Sequence, residues 1–164
     1  MTAVDDRSGP YIKAAFLCDT VIEGKDGVSS YIRVVDQLNV QALRIVSRQG
    51  PAPEETPELP AELPEGSTVQ AWLVLLFAGG GAQGRSSLRV SMRTPDGLSR
   101  DMAENLDVHF DGRQNSSANL HINLNMVVTQ EGPYSVLVFL DDELVTRIPF
   151  EVRYMRLPDA VGRP

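Results

Sequence analysis

Apolar and polar residues alternate with a period of two along most of this chain. Residues 12–20 carry Ala14, Phe16 and Cys18 on one side, and residues 87–94 set Leu88, Val90 and Met92 against Arg89, Ser91 and Arg93. The pattern returns in residues 118–129, where Leu120, Ile122, Leu124 and Met126 alternate with His121, Asn123 and Asn125. It returns once more through Ile148, Phe150, Val152 and Tyr154. Successive side chains of an extended chain point to opposite faces, so each segment is read as a strand with one buried face. Residues 28–38 are rich in β-branched and aromatic residues, and 106–111 and 134–140 complete the set. The uninterrupted apolar run at residues 71–78, from Ala71 to Ala78, is read as a buried strand. No segment holds a 3.6-residue apolar stripe.

Turn residues punctuate these segments. Gly24-Lys25-Asp26-Gly27 predicts a hairpin between the first two strands, Pro95-Asp96-Gly97 a further turn, and Asp141-Asp142-Glu143 the link between the last two. The glycine-rich stretch 78–85 is expected to be a hairpin tip between 68–78 and 87–94. Residues 40–48 fit a strand and a helix equally, and that choice stays open. Short strands joined by hairpins must each bury one face, and two stacked sheets do so most economically. The fold expected is an all-β, single antiparallel β-sandwich, with a closed β-barrel as the alternative. One domain spans residues 1–164, a length that buries roughly 70% of the surface of its unfolded form.

Residues 51–66 break the pattern, with prolines at 51, 53, 57, 60 and 64 and glutamates at 54, 55, 58, 62 and 65. Proline removes amide donors and like charges repel, so an extended, solvated loop outside the core is expected there, and a tail over 155–164. The net charge is −7, and setting the five loop glutamates aside leaves −2, so the folded body is nearly neutral. Neither value suits the clustered Lys and Arg that displace phosphate counterions, and no nucleic-acid partner is expected. The longest apolar run is well short of the roughly 20 residues of a membrane-crossing helix, and the first ten residues carry no signal-type apolar stretch. No membrane partner is expected. A lone Cys18 forms no internal disulfide, which suits a reducing, cytoplasmic setting. It shares a side with Phe16 and is read as a buried, inert thiol, and Trp72 as a core residue.

Two stretches carry resemblances. Gly132-Pro133-Tyr134-Ser135-Val136-Leu137-Val138, answered by Pro149-Phe150-Glu151-Val152, resembles the last hairpin of immunoglobulin-like bacterial and filamin-type repeats, which implies an immunoglobulin-like sandwich. Ala14-Ala15-Phe16-Leu17-Cys18-Asp19, with Gly27 and then Tyr31-Ile32-Arg33-Val34-Val35-Asp36, is similar to an uncharacterised family of small bacterial proteins. That resemblance brings no activity with it.

Chemistry-bearing residues are few. If residues 107–111 and 121–125 form a hairpin with Phe110 opposite Leu120 and Val108 opposite Ile122, then Asp107, His109, Asp111 and His121 share one face. Two imidazoles with carboxylates make an N/O set for a divalent metal, and hence for a metal-dependent hydrolase or a small-ligand protein. The ordinary alternative is the solvent face of a half-exposed hairpin. Acidic turns at Asp19, Glu23 and Asp26, at Asp96 and Asp101, and at Asp141, Asp142 and Glu143 form a calcium-dependent, C2-like membrane site only if they converge at one end. The glycine-rich stretch lacks the Lys-Ser/Thr pair and following helix of a phosphate loop. No nucleophile elbow accompanies either histidine. The function expected is non-enzymatic and needs no cofactor: an interaction or structural module that binds a protein partner, or itself, through a sheet edge or exposed loops.

Overall fold

A computed structural model of the chain describes residues 9–42 and 62–156. Among the described residues nine strands follow in order: β1 (Tyr11–Glu23), β2 (Ser29–Val34), β3 (Gln37–Ala42), β4 (Thr68–Ala78), β5 (Gln83–Arg93), β6 (Ser99–Asp111), β7 (Ser117–Val127), β8 (Gly132–Leu140) and β9 (Glu143–Arg156). They form two separate sheets, one ordered β2-β1-β4-β7 and the other β3-β9-β8-β5-β6. Two open sheets exclude the closed barrel. All pairings are antiparallel except β3 with β9, which is parallel.

The period-two pattern explains the core. Leu73, Leu75 and Phe77 of β4 and Leu124 and Met126 of β7 face Leu88, Val90 and Met92 of β5, Val136 and Val138 of β8, and Phe150 and Val152 of β9. Burying side chains of this size contributes roughly 1.5–3 kcal/mol each, which offsets the entropy of ordering the strands. Phe77 and Phe110 meet edge to face at 6.2 Å, bridging the sheets. At one end Tyr134 stacks on Phe150 with centroids 5.5 Å apart. Its hydroxyl donates to the Gln130 carbonyl at 2.9 Å and accepts the amides of Thr129 and Gln130, each at 3.3 Å.

Three of the expected hairpins form: β1–β2, β5–β6 around Pro95-Asp96-Gly97, and β8–β9. In the last, Leu140 pairs with Glu143 while Asp141 and Asp142 take φ of 50° and 65°, the left-handed pair of a two-residue turn whose twist matches that of the strands.

Elsewhere the chain changes sheet where a hairpin or an unbroken strand was expected. The glycine-rich stretch is not a hairpin tip, because β4 and β5 lie in different sheets and residues 79–82 form the corner between them. A Cβ on Gly79 would collide with Ser116 Oγ, and Gly81 has φ of +79°, so close approach and backbone conformation both select glycine. Residues 28–38 do not form one strand. The chain leaves β2 at Val35 and enters the other sheet as β3, with the Asp36 carbonyl accepting the Glu151 amide at 2.8 Å.

The reading left open over 40–48 resolves to strand for residues 40–42, where Val40 packs against the core; 43–48 lie outside the described residues. Of the loop expected outside the core, residues 51–61 lie outside the described residues, but Leu63 packs against the core. Met155 and Arg156, assigned to a tail, belong to β9. Trp72 is not a core residue: it alternates with Ala71 and Leu73 and so lies on the opposite face of the sheet, paired with Cys18 and Asn123.

Candidate functional site

The four residues expected to gather as a metal site do not meet. β6 pairs with β5, which sets His109 opposite Arg85 and Asp107 opposite Ser87, while β7 pairs with β4, which sets His121 opposite Val74. Residues 112–116 carry the chain from one sheet to the other. Phe110 and Leu120 therefore point at the same core from opposite layers, and their polar neighbours point away from each other. Alternation alone is the same in both arrangements. Asp107 instead pairs with Arg85 at 3.6 Å, Asp111 pairs with Arg113 at 3.5 Å, and His109 is exposed. Among the described residues no three or more His, Cys, Asp or Glu side chains gather to hold a metal ion. The acidic turns are likewise engaged locally. Asp26 accepts the Val28 amide at 3.1 Å, Asp96 accepts the Thr94 hydroxyl, and Asp141 accepts the Ser87 amide at 2.8 Å.

What the fold does assemble lies on the outer face of the four-stranded sheet. β1 is longer than its partners: residues 11–18 pair with β4, and residues 18–23 pair only with β2. Beyond Cys18 the β1–β2 hairpin folds back over the sheet as a flap. It crosses β4 and reaches β7, where His121 Nδ1 lies 2.8 Å from Glu23 Oε1 and His121 Nε2 lies 3.1 Å from the Tyr31 hydroxyl. Both contacts are satisfied by the tautomer that carries its proton on Nδ1, donates to Glu23 and accepts from Tyr31. Tyr31 also meets Phe16 edge to face at 5.2 Å and the His121 ring at 5.6 Å. Val74 and Cys18 are fully buried although they face away from the inter-sheet core. Burial holds the Cys18 thiol above its ordinary range, with the neighbouring Asp19 charge adding to the effect, so the neutral thiol is favoured.

The flap's other side is apolar and open. Ile22, Val28, Ile32 and Val34 are 51%, 63%, 42% and 64% exposed. They lie beside β2, which has no neighbour on its outer side among the described strands. The sequence signal for this surface was the apolar content of residues 28–38 at both parities, too rich for a strand with a single buried face.

A second feature occupies the outer face of the five-stranded sheet. Arg89 lies 4.0 Å over the Phe139 ring, between Asp101 at 3.3 Å and Asp142 at 3.8 Å. Arg89, Asp101 and Asp142 line, with Ser87, Glu104 and Asn105, a cleft of about 420 Å³. The Asp101 carboxyl is held below its ordinary range, first by the hydrogen bond from the buried Ser91 hydroxyl, then by Glu104 and Arg89. A depressed carboxylate contributes stability that is present above its unfolded-state value and lost as pH falls through its folded value. We therefore expect acid unfolding of Asp101→Asn, followed by circular dichroism, to depend less steeply on pH below about 4 than that of the parent chain. Parallel acid limbs for the two proteins would contradict this assignment.

The model of a family of unknown function, DUF6941, matches residues 55–153, more than half of the sequence. The chain belongs to that family. The DUF6941 match takes in β4 to β8 and most of β9, and β1 to β3 lie ahead of it. No curated protein matches. Among solved structures the chain is similar to the Pseudomonas fluorescens alkylpurine DNA glycosylase AlkC bound to DNA containing an abasic site analog. That likeness has a TM-score of 0.47 and 10% identity over 90% of this chain, which spans 31% of the length of that structure.

Proposed function

We propose that this DUF6941 protein is a non-catalytic interaction module, an immunoglobulin-like sandwich that docks a protein partner through the β1–β2 flap and the open edge of β2. The observation that carries the reading is the coincidence of four exposed apolar residues, Ile22, Val28, Ile32 and Val34, with an edge strand of one charged residue, Arg33. Sandwiches blunt their edges with charge, bulges or short strands, and an edge left apolar is suited to pairing with another strand. The edges at β6 and β7 are better guarded, and β3, the remaining edge, is a six-residue strand whose Leu38 and Val40 pack against the core. β6 carries Asp101, Glu104, Asp107 and Asp111 and irregular pairing near Val90, and β7 presents Asn119, Asn123 and Asn125 outward.

The immunoglobulin-like assignment is supported by β3 pairing parallel to β9 after the chain switches sheet, and by the Tyr134 hydroxyl bonded to backbone a few residues upstream. The buried free thiol of Cys18 suits a reducing compartment such as the cytoplasm.

Photo-crosslinking in the living cell tests the reading. A photoreactive residue at Val28 should capture one predominant protein, and one at His109, exposed on the opposite sheet, should not. Equal capture at both positions, or none at Val28, would overturn it.

A further inference from the structure

We propose that the occupant of the flap is the flap of a second copy of this chain, β2 pairing antiparallel with β2 about a twofold axis through Tyr31. This inference rests on the docking reading above and specifies its partner. A twofold contact uses the same patch twice, so the patch must complement itself. Strand β2 does so in one register.

With Tyr31 opposite Tyr31 of the second copy, Ile32 falls opposite Ser30 of that copy; Arg33 has φ of 55°, which turns the strand there, and Val34 comes beside Val28 past that kink. Within each flap Ser30 already pairs with Ile22, so the small serine leaves room for Ile32 to reach Ile22 of the other copy across it. The exposed apolar residues of the two copies then lie side by side on one face of the joined sheet.

The charges agree with the same register. Arg33 falls opposite Ser29 of the second copy, whose neighbour on β1 is Glu23. Within each copy Arg33 already reaches Asp19 at 3.5 Å and Glu23 reaches His121 at 2.8 Å, yet their side chains stay 75% and 71% accessible, so the axis adds a further acid near each Arg33 without breaking either pair. Shifting the register by two residues, to bring Ile32 opposite itself, would move the two Arg33 side chains toward each other.

The backbone is available as well. Gly24 donates to the Val28 carbonyl at 2.8 Å, and the alternation of an antiparallel ladder from that bond directs the Ser30 and Ile32 amides toward β1. The main-chain groups of Ser29 and Tyr31 are left pointing outward. Pairing there makes one eight-stranded sheet from two four-stranded ones. The contact is short, which places it among weak, reversible associations.

The test combines mass with register. Sedimentation velocity of the full chain from about 1 µM to about 1 mM should show the mean mass rising toward a dimer, with Ile32→Lys and Val34→Lys remaining monomeric and folded. Ser30→Cys mixed with Ile32→Cys should give a disulfide-linked dimer under mild oxidation, because the two positions face each other across the axis. Either variant alone should yield far less. A parent chain that stays monomeric throughout, or a mixture that links no better than its components, would overturn the second copy as partner. If Val28 still captured a different protein in the cell, the docking reading would survive that result. If Val28 captured nothing, both would fail.

Discussion

Replacing Tyr134 by phenylalanine should lower the unfolding free energy by about 2 kcal/mol, and replacing it by alanine by about 4 kcal/mol. The two substitutions remove different things. Tyr134 is 1% exposed, stacks on Phe150, and through one hydroxyl serves two amides and one carbonyl at the β7–β8 corner. Phenylalanine keeps the packing but leaves the Thr129 and Gln130 main-chain groups without that partner where water has limited access. Alanine also opens a cavity the size of an aromatic ring, which the stacked Phe150 cannot collapse to fill. Urea unfolding of the three proteins measures both steps. If the phenylalanine variant matched the parent chain, the hydroxyl would have no structural role at the corner.

The second large effect is expected at His121. His121→Ala should cost about 2–3 kcal/mol, with the loss concentrated in the flap and not spread through the core. The ring is 10% exposed and joins Glu23 and Tyr31 to β7, while the flap has no ladder to β4 beyond Cys18. Without the imidazole, the edge-to-face contact of Tyr31 with Phe16 still joins the flap to the sheet. Amide exchange read by mass spectrometry should therefore accelerate in residues 20–34 well before it does in β4 or β8, because local openings draw on the least secured element. His121→Gln, which can keep one of the two hydrogen bonds, should recover part of the protection. Unchanged exchange in residues 20–34 of the alanine variant would show that His121 does not hold the flap. A reactive Cys18 in the same variant would be an independent sign of opening, since the thiol is fully buried while the flap is closed.

These two sites differ in how far they were legible beforehand. The Tyr134 hairpin was readable because it is local: alternating valines, a turn of acidic residues and an answering Pro-Phe-x-Val strand lie within about twenty positions, and near neighbours in sequence pair directly. The His121 site draws on residues 98 positions apart, Glu23 and His121, and on Tyr31, 90 positions away. Nothing in the alternation around either histidine distinguishes an exposed imidazole from one covered by a distant hairpin. The expected pairing of His109 with His121 failed for a related reason, since the polar side of a strand is defined only relative to its own sheet. Trp72 was misplaced by the same ambiguity: in an uninterrupted apolar run every residue looks interior, and only the partners of β4 reveal which side faces the other sheet.

The amino-acid pattern alone therefore determined that this protein is built of pleated strands, most of them with one apolar face, where most of those strands lie, which tight turns close hairpins, and that two layers enclose a core. These are consequences of local backbone geometry and of the free energy of removing apolar area from water, and both are written in neighbouring residues. Tertiary structure decided which links turn back within a sheet and which cross between sheets, and with that, which polar residues meet. It also decided that the β1–β2 hairpin doubles over the outer face and leaves its own far side apolar and uncovered. Such choices depend on contacts between distant segments, whose energies no short stretch of sequence contains.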